Sequence, residues 1–448
     1  MLQAKDKFFD VAIIGGGPSG MMAAIEASES GAKVALLEKN IVLGRKLLLT
    51  GKGRSNITRA EFNPKELAKK YGREGDFLLY PLSVFGVKET LKFFEEHGLK
   101  IKIERGKRIF PQSDKARDVL NVLIQSLKKN NVSILTKAEV GEIFIRGDKI
   151  TKLFLKDGRE ITAKNYILCT GGKSYPQTGS TGDGYKWLQK LGHTIIKPRP
   201  ALTPINIKEA WPKEAQGLSL KNVELFVFQN SKKVESRFGE LLFTHFGISG
   251  PIVLDLSGKI GELLEKGGVT PHTKQGLVAE GDKTSKAYPC YGVGVNLFLD
   301  LKPALSFEKL DKRLQSDFLK QNNKMFKNSL ADLLPSKLIP VIVKLSGINQ
   351  MKKVNEITKE ERNKLVKLLK NLEMTVNSLL GFKTAIITLG GVSLKEIDAK
   401  TMKSKLVDNL FFAGEIINLH GPTGGYNLQL CWSTGHLAGQ SSASSLSH

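Results

Sequence analysis

The residues best placed for chemistry lie near the start of the chain, where three glycines and one acid follow a strict spacing. Gly15, Gly17 and Gly20 form the pattern G-x-G-x-x-G. Glycines so spaced allow a tight turn, let the backbone approach a pyrophosphate and let a helix pack closely on a strand. Glu38, 18 residues farther on, is an acid that can accept hydrogen bonds from ribose hydroxyls. The pattern predicts a dinucleotide site, and the acid disfavours a ribose 2′-phosphate, which leaves FAD or NAD rather than NADP.

The elements around this pattern are those that such a site needs. Residues 9–14 and 33–37 are short apolar runs that predict buried strands, and residues 21–30 predict a helix of small and apolar residues. The helix N-terminus directs N–H groups and the positive end of its dipole at the phosphates. A lone G-x-G-x-x-G is weak evidence, but here strand, motif, helix, strand and acid occur in the required order.

Glycine-rich segments farther along the chain separate FAD from NAD. Residues 44–46 and 50–56 are rich in glycine and cations, so they either hold a second face of a pyrophosphate or form a solvated basic loop. Residues 166–172 predict a strand that ends in Thr-Gly-Gly, which is typical of an FAD domain. Residues 409–415 predict another strand, and residues 421–429 open a final helix whose N-terminus suits the negative charge of a reduced flavin.

The two groups of motifs lie about 400 residues apart, which a split FAD domain explains and a compact NAD dehydrogenase does not. Residues 179–184 contain three glycines in the wrong order for a second nucleotide motif. No dedicated nicotinamide domain is therefore expected, and NADH or NADPH would bind only transiently as the reductant.

The fold class expected is α/β: a split Rossmann-like FAD-binding domain with an inserted β-rich domain and a helical subdomain. Strands are predicted at 223–228 and 293–299, in a small barrel or sandwich, and a mobile loop at 258–286. The predicted boundaries are 1–195 and 374–448 for the two parts of the FAD domain, 196–302 for the β-rich domain and 303–373 for the helical subdomain.

Composition limits the class of protein. The chain has 448 residues, of which 41% are hydrophobic and 25% charged, as in globular proteins of more than one domain. The three cysteines are far apart and form no CxxC pair, so neither a metal site nor a dithiol is expected. Since no signal peptide and no membrane-spanning apolar run is recognisable, we expect a cytoplasmic protein without a membrane partner.

The charge is the unusual feature. There are 68 Lys and Arg against 44 Asp and Glu, which gives a net charge of +24. Residues 41–130 hold 20 cations against 10 acids, and residues 303–373 hold 15 against 8. Such an excess either solvates the surface or forms a face for a polyanion such as RNA.

Several of these segments together resemble the BaiN/RdsA family of FAD-dependent oxidoreductases, the YhiN-type flavoproteins. The segments are 15–20, 44–46, 50–58, 170–176, 178–184, 243–251, 388–392 and 414–427, and the resemblance extends from about residue 8 to residue 440. Lys52 and Ser55 depart from the family's usual loop, Gly-Gly-Gly-Arg-Cys-Asn. The cofactor-binding residues predicted from motifs and resemblance are Gly15, Gly17, Pro18, Ser19, Gly20, Glu38, Lys39, Gly44, Arg45, Lys46, Thr50, Gly51, Arg54, Asn56, Val140, Thr170, Gly171, Gly172, Gly414, Glu415, Gly424, Gly425, Tyr426 and Asn427.

The resemblance implies hydride transfer to an activated C=C bond, either in a steroid-like acid or in a uridine of large-subunit (23S) ribosomal RNA. The net charge favours RNA. A non-catalytic, flavin-stabilised RNA-binding factor and an FAD oxidase or monooxygenase stay open as alternatives. The candidate proton donors are His245, in a loop of the insertion, and Tyr175, His420 and Tyr426, which flank the predicted flavin loops. Structural roles, or stacking on a flipped base, explain these residues equally well.

Overall fold

The computed structural model describes residues 8–266 and 294–446. The strands are β1 (Phe8–Ile14), β2 (Val34–Glu38), β3 (Thr58–Arg59), β4 (Ile101–Glu104), β5 (Arg108–Pro111), β6 (Ser133–Thr136), β7 (Val140–Arg146), β8 (Lys149–Leu155), β9 (Glu160–Leu168), β10 (Ile195–Ala201), β11 (Ile205–Ile207), β12 (Ser219–Gln229), β13 (Lys232–Thr244), β14 (Gly247–Ser249), β15 (Val295–Asp300), β16 (Leu372–Leu379), β17 (Ile387–Val392) and β18 (Leu410–Phe412). The α-helices are α1 (Pro18–Glu29), α2 (Pro64–Ala68), α3 (Leu79–Val84), α4 (Val87–Glu96), α5 (Ala116–Lys129), α6 (Asp183–Lys190), α7 (Trp211–Glu214), α8 (Pro251–Lys266), α9 (Phe307–Lys320), α10 (Ile339–Ser346), α11 (Lys359–Lys370) and α12 (Tyr426–Ser444).

The chain forms two compact units. The first contains residues 1–200 and 385–448, and the second contains residues 201–384. The first unit is therefore split by an insertion. Strand β16 spans the predicted boundary between residues 373 and 374, and it belongs to the second unit.

The first unit is built on a mixed sheet with the strand order β6-β2-β1-β9-β8-β7, in which β18 also pairs with β9. Strands β6, β2, β1, β9 and β18 are parallel to one another, whereas β8 is antiparallel to both β7 and β9. Strand β2 is buried along its whole length, as apolar strands of a covered parallel sheet are. The predicted strands at 9–14, 33–37 and 409–415 and the first helix are confirmed to within three residues, whereas the strand predicted at 166–172 starts earlier and ends at Leu168, so its Thr-Gly-Gly follows the strand.

Helix α1 begins at Pro18, earlier than predicted, because proline is well tolerated in the first turn of a helix. Helix α12 packs against it through glycines. A Cβ atom on Gly435 would lie 2.5 Å from the carbonyl oxygen of Ser19, and one on Gly439 would lie 2.5 Å from that of Ala23. The close packing brings the C-terminal segment onto the helix that follows the glycine motif.

The second unit contains a closed antiparallel barrel with the strand order β11-β14-β13-β12-β15-β16. Alternate residues fill its interior, among them Leu225, Val227, Leu297 and Leu299. Helices α9, α10 and α11 belong to the predicted helical region, and their apolar residues join the same core. The expectation of a β-rich insertion is confirmed, and its form is a barrel rather than a sandwich.

One sequence-based expectation is wrong in part. The loop predicted at 258–286 is helical up to Lys266, because α8 places Ile252, Leu256, Ile260 and Leu263 at helical spacing in the barrel core. Residues 267–286 lie outside the described part of the chain, as does Val293, so that β15 is described from Val295 onward.

Two further observations concern residues 8–266 and 294–446 alone. None of the helices there is long and apolar enough to cross a bilayer. The same residues contain no group of three or more His, Cys, Asp or Glu side chains arranged to hold a metal ion.

Candidate cofactor-binding site

The glycine turn between β1 and α1 has steric reasons for its composition. Gly15 adopts a left-handed conformation (φ +111°), and a Cβ atom there would lie 2.5 Å from the carbonyl oxygen of Cys169. A Cβ atom on Gly20 would lie 1.9 Å from the carbonyl oxygen of Gly15. Gly17 differs, because a Cβ atom there would meet no protein atom within 4 Å. Gly15 and Gly20 are therefore required for close packing, whereas Gly17 leaves an open space beside the start of the helix.

Helix α1 presents its N-terminus to that space. Its N-cap is Gly17, which provides no side-chain hydrogen bond, and no acidic residue occupies the first turn. The positive end of the helix dipole is therefore uncompensated by the helix itself, as in sites that bind phosphate groups.

Glu38 closes the turn from the end of β2. Its side chain is buried, and Oε2 accepts a hydrogen bond from the backbone N–H of Gly16 at 2.9 Å. Oε1 accepts two from Asn40, from the backbone N–H at 2.8 Å and from Nδ2 at 2.7 Å. A carboxylate offers about four acceptor positions. One position on Oε2 therefore remains for a ligand hydroxyl. The sequence-based prediction was that Glu38 would bind both ribose hydroxyls.

These elements line an open cavity with room for about 120 Å³ of water-sized molecules, which we call the turn cavity. Its lining includes the predicted residues Gly15, Gly17, Pro18, Ser19, Glu38, Lys39, Gly44, Arg45, Lys46, Val140, Thr170, Gly171 and Glu415. Thr170 Oγ1 is buried and makes no hydrogen bond to the described protein atoms, so a ligand would provide its partner.

An ion pair joins two distant segments at the wall of the turn cavity. Lys46 Nζ lies 2.7 Å from Glu415 Oε2. The other carboxylate oxygen of Glu415 accepts hydrogen bonds from Ser174 Oγ at 2.9 Å and from the backbone N–H of Thr388 at 2.7 Å. We call Lys46, Ser174, Thr388 and Glu415 the wall cluster. Both charged residues had been predicted as cofactor ligands, but the sequence did not indicate that they contact each other.

One part of the cavity lining was not predicted from the sequence. Residues 178–183, which include all but the last residue of the segment rejected as a second nucleotide motif, border the same cavity. Lys39 Nζ holds this segment through Thr181 Oγ1 at 2.7 Å and Asp183 Oδ2 at 2.9 Å. Its glycine content was the available signal, because glycines allow the backbone to pass close to a ligand.

The loop at 50–56 lies outside the lining of the turn cavity. The guanidinium of Arg54 is bound by Glu104 and Asp114 and stacks on Phe110, with Cζ 4.0 Å from the ring centroid. Thr50 donates a hydrogen bond from Oγ1 to the carbonyl oxygen of Leu47 at 2.6 Å. Gly51 is left-handed (φ +58°), and Asn56 Oδ1 is buried without a hydrogen-bond partner among the described residues.

The C-terminal glycine segment also lies outside that lining, within the same unit. Gly425 is left-handed (φ +100°), and a Cβ atom there would lie 2.6 Å from the backbone of Thr58. The side chain of Asn427 accepts from the N–H of Gly421 and donates to its carbonyl oxygen, both at 2.9 Å. The predicted residues Gly20, Gly172, Gly414 and Gly424 are likewise absent from that lining, and the last two are left-handed.

The four candidate proton donors differ in their surroundings. Tyr426 is buried edge-on against Tyr71, with ring centroids 6.0 Å apart, and Tyr175 is half-buried in a left-handed conformation (φ +49°). His420 is exposed, although partial desolvation and the charge of Arg199 lower its pKa to about 4. His245 is exposed between β13 and β14 and belongs to the second unit.

Two cysteines border the turn cavity without being reactive. Burial raises the pKa of the Cys169 thiol, and it raises the pKa of the Cys431 thiol, with help from the charge of Glu415, to about 12. Both thiols are therefore protonated at neutral pH, which removes the thiolate that nucleophilic or metal-binding cysteines need.

A parallel-stranded core, a glycine turn and an acid at the end of β2 define a Rossmann-type FAD-binding domain, here combined with a β-barrel and helices. The chain belongs to the HI0933-like family: the HI0933-like protein Rossmann domain matches residues 9–441. The resemblance to the BaiN/RdsA flavoproteins is confirmed by relatives that match nearly the full length.

The chain is 31% identical to the 3-dehydro-bile acid delta(4,6)-reductase of Clostridium scindens, over 97% of this chain and 98% of that protein. It is 29% identical to the ribosomal RNA dihydrouridine synthase of Haemophilus influenzae, over 95% of this chain and 96% of that protein. A similar fold occurs in the 3-ketosteroid delta1-dehydrogenase of Sterolibacterium denitrificans, with a TM-score of 0.52 at 12% identity, over 98% of this chain and all of that one.

Proposed function

We propose that the chain is an FAD-dependent reductase that uses NADH or NADPH to reduce a uridine of 23S ribosomal RNA to dihydrouridine. The proposal has two parts, because the cofactor follows from the turn cavity and the substrate from the charge. A ribosomal substrate would also place the enzyme in the cytoplasm.

The first part is supported by the fit between FAD and the turn cavity. We expect the open space beside Gly17 and the N-terminus of α1 to take the pyrophosphate, and the remaining acceptor position of Glu38 to take a ribose hydroxyl. When bound, FAD supplies a hydride to an electron-poor carbon. The wall cluster presents both a cation and a carboxylate to the same cavity, so it orients polar groups of the cofactor.

The cofactor site can be tested without measuring turnover. Gly17→Ala should fold normally, since its Cβ atom meets no protein atom and the backbone φ of −81° suits alanine. The same methyl group would enter the space assigned to the pyrophosphate. We expect a weaker FAD affinity, measured by titration of the apoprotein, with an unchanged urea midpoint. FAD affinity equal to that of the wild type would contradict this placement.

The second part depends on the net charge of +24, which exceeds what solubility requires and what a few phosphate contacts of FAD use. Reduction of uracil adds hydride at C6, the carbon β to the C4 carbonyl, and a proton at C5. NADH or NADPH provides the two electrons and leaves as the oxidised nicotinamide. The relative of Haemophilus influenzae, whose name states this reaction on ribosomal RNA, supports the assignment.

His245 is the proposed proton donor, because its side chain is exposed and histidine is the side chain that most often acts as a general acid. Among the alternatives, Tyr426 is buried, and the lowered pKa of His420 disfavours its protonated form. His245→Gln should slow the reoxidation of the reduced protein by substrate in single-turnover experiments, while FAD content stays unchanged. An unchanged rate would remove His245 from the mechanism.

The decisive experiment compares ribosomal RNA from cells with and without the gene by nucleoside mass spectrometry. We expect one uridine to be lighter by two hydrogens when the protein is missing, and the modification to return with the wild-type gene but not with Gly17→Ala. If the modification is absent in both cells, the RNA assignment is wrong. If deletion removes it but the Gly17→Ala gene restores it fully although the purified variant retains no FAD, a flavin-independent RNA-binding role is favoured.

A small unsaturated, steroid-like acid is the second candidate substrate. The observation in its favour is the 31% identity to a bile acid reductase across almost the whole chain. A conjugated steroid dienone would then reoxidise the reduced protein rapidly, and its affinity would vary little with salt. RNA binding instead predicts a steep fall of affinity with salt.

A further inference from the structure

Two arginines lie directly opposite one another on the small antiparallel sheet β3-β5-β4 of the first unit. Arg59 in β3 is the register partner of Arg108 in β5. Side chains of directly paired residues share one face of a sheet, and like charges in this arrangement are destabilising. Each arginine also lies over an aromatic ring, with Arg59 Cζ 5.4 Å from the ring centroid of Tyr426 and Arg108 Cζ 5.9 Å from that of Phe110, but neither ring neutralises the charge.

The carboxylates nearby are bound to other cations. Glu104 and Asp114 both bind Arg54, and Asp114 also binds Lys102 at 2.6 Å. Glu61 lies near Arg59 in sequence but forms its ion pair with Lys107, at 3.2 Å. Within residues 8–266 and 294–446, no carboxylate forms an ion pair with Arg59 or Arg108.

The turn that joins β4 to β5 adds to this positive charge. Arg105 stands in the turn, and its carbonyl oxygen accepts a hydrogen bond from Arg108 Nε at 3.3 Å. Residues 99–117 contain seven Lys and Arg against two Asp and Glu. We call Arg59, Arg105 and Arg108 the arginine face.

The other basic region of the chain uses its arginines differently. Residues 303–373 contain 15 cations against 8 acids, but their two arginines are both bound to carboxylates. Arg313 Nε lies 2.8 Å from Asp317, and Arg362 Nε lies 2.6 Å from Asp311. Guanidinium groups bind phosphate with two parallel hydrogen bonds, which a lysine cannot do. The arginine face therefore offers phosphate-binding groups that the helical region does not.

We propose that the arginine face binds phosphodiester groups of the RNA strand that carries the substrate uridine. This inference rests on the proposed function, because it names the surface by which that substrate is held. Strand β3 is fixed to the start of α12, where Thr58 Oγ1 and Gln429 Oε1 are 2.6 Å apart. Arg59 Cζ lies 5.4 Å from the ring centroid of Tyr426. The bound phosphates thus lie beside the C-terminal glycine segment.

The test uses the FAD-loaded full-length protein and an unmodified 23S ribosomal RNA transcript, with affinity measured over a series of salt concentrations. Each lost phosphate contact lowers the slope of log affinity against log salt by about 0.7 to 0.9. Arg59→Gln with Arg108→Gln should therefore lower the slope by about 1.4 to 1.8. The matched control is Lys312→Gln with Lys320→Gln, which removes the same charge from exposed positions on α9 and should leave the slope nearly unchanged.

A second measurement excludes a merely structural role. Removing the opposed charges should raise the urea midpoint of the Arg59→Gln, Arg108→Gln protein slightly, because like charges no longer face each other. A lower midpoint together with weaker RNA binding would mean that the arginines support the fold, and it would overturn the inference. An equal loss of slope in the control variant would overturn it too, since the effect would then be one of net charge.

The outcomes also separate this inference from the proposed function. If the wild-type protein binds the transcript without salt dependence, the RNA assignment itself fails. If the wild type shows a steep slope that the arginine variant retains, only the arginine face is wrong. A rise in the KM for NADPH alone, with RNA affinity unchanged, would assign the two arginines to the phosphate of the nicotinamide and would equally overturn the inference.

Discussion

The two units each contain a lysine–carboxylate pair that joins distant parts of the chain, but the pairs differ in their surroundings. In the first unit the side chains of Lys46 and Glu415 are 22% and 18% exposed and border the turn cavity. In the barrel unit those of Lys370 and Asp300 are 7% and 8% exposed, with a contact of 2.5 Å. A pair at a cavity wall can exchange its contacts for those of a ligand, whereas a buried pair has only protein groups as partners.

The pKa of Asp300 shows the consequence of burial. Desolvation raises it above the ordinary value, although the hydrogen bonds from Lys370 and from the backbone N–H of Lys302 act in the opposite direction. Lys370 also donates to the carbonyl oxygens of Lys302 and Leu305, at 3.1 and 2.7 Å. The pair thus fixes the segment after β15 against α11. A lysine–carboxylate pair thus borders a cavity in one unit and stabilises the fold in the other.

The largest expected effect comes from breaking the buried pair. Lys370→Met leaves an uncompensated carboxylate in the barrel unit and should lower the free energy of unfolding by about 3–5 kcal/mol. Urea unfolding, followed through Trp211 in a variant that lacks the other two tryptophans, measures this unit alone. Adding Asp300→Asn should recover most of the loss, and no recovery would show that Lys370 acts through packing instead.

The same variant has a predictable pH dependence. Without Lys370 the pKa of Asp300 in the folded state lies still farther above its unfolded value, so folding favours the protonated form. Stability is then retained at low pH and lost as the pH rises through the folded pKa. The difference in unfolding free energy between Lys370→Met and wild type should therefore be smaller at pH 4 than at pH 7. A constant difference would contradict this account.

The second effect concerns packing in the first unit. Gly20→Ala places a Cβ atom 1.9 Å from the carbonyl oxygen of Gly15, so α1 and β1 must separate. We expect a loss of about 3 kcal/mol, at the upper end for overpacking, and a protein that purifies without FAD. Fluorescence of Trp432 in a single-tryptophan variant reports on this unit. Gly17→Ala, whose Cβ atom meets no protein atom, is the matched control for stability, because it should leave the urea midpoint unchanged although it too weakens FAD binding.

A smaller effect is expected from Lys46→Met at the cavity wall. Partly exposed ion pairs contribute about 1 kcal/mol or less, so the urea midpoint should change little. FAD affinity should fall, because Glu415 would present its charge to the cavity without the neighbouring cation. If Lys46→Met instead destabilises the apoprotein as strongly as Lys370→Met does the barrel, the contrast between the two pairs is wrong.

The smallest effect involves His193, which is buried in the first unit with Nε2 2.8 Å from Ser404 Oγ. Burial lowers its pKa, so the unfolded chain takes up the proton first. Stability is present above the unfolded pKa of about 6.5 and falls as the pH drops below it. His193→Gln should flatten this dependence between pH 7 and 5 by up to about 1 kcal/mol. An unchanged slope would assign the dependence to other groups.

The elements of the first unit could be predicted from the sequence more closely than those of the barrel unit. The strands and helix around Gly15, Gly17 and Gly20 were predicted closely, because a βαβ unit is assembled from neighbouring residues whose types are set by sterics. In the barrel, Ile205 pairs with Leu379, so closure depends on strands far apart in the chain. Apolar runs predicted β structure there, but they do not specify the partner of each strand. Helix α8 was missed because glycines and lysines obscured its apolar spacing.

By itself, the sequence determined the nucleotide-binding motif, the split FAD domain, the family and the excess of positive charge. These properties depend on residue types at short range or on simple composition. Only the tertiary structure decided which charged residues contact each other. Lys46 pairs with Glu415, and Arg54 pairs with Glu104 and Asp114. Arg59 lies opposite Arg108. Electrostatic contacts act over a few ångströms through space, and chain folding brings residues hundreds of positions apart within that distance.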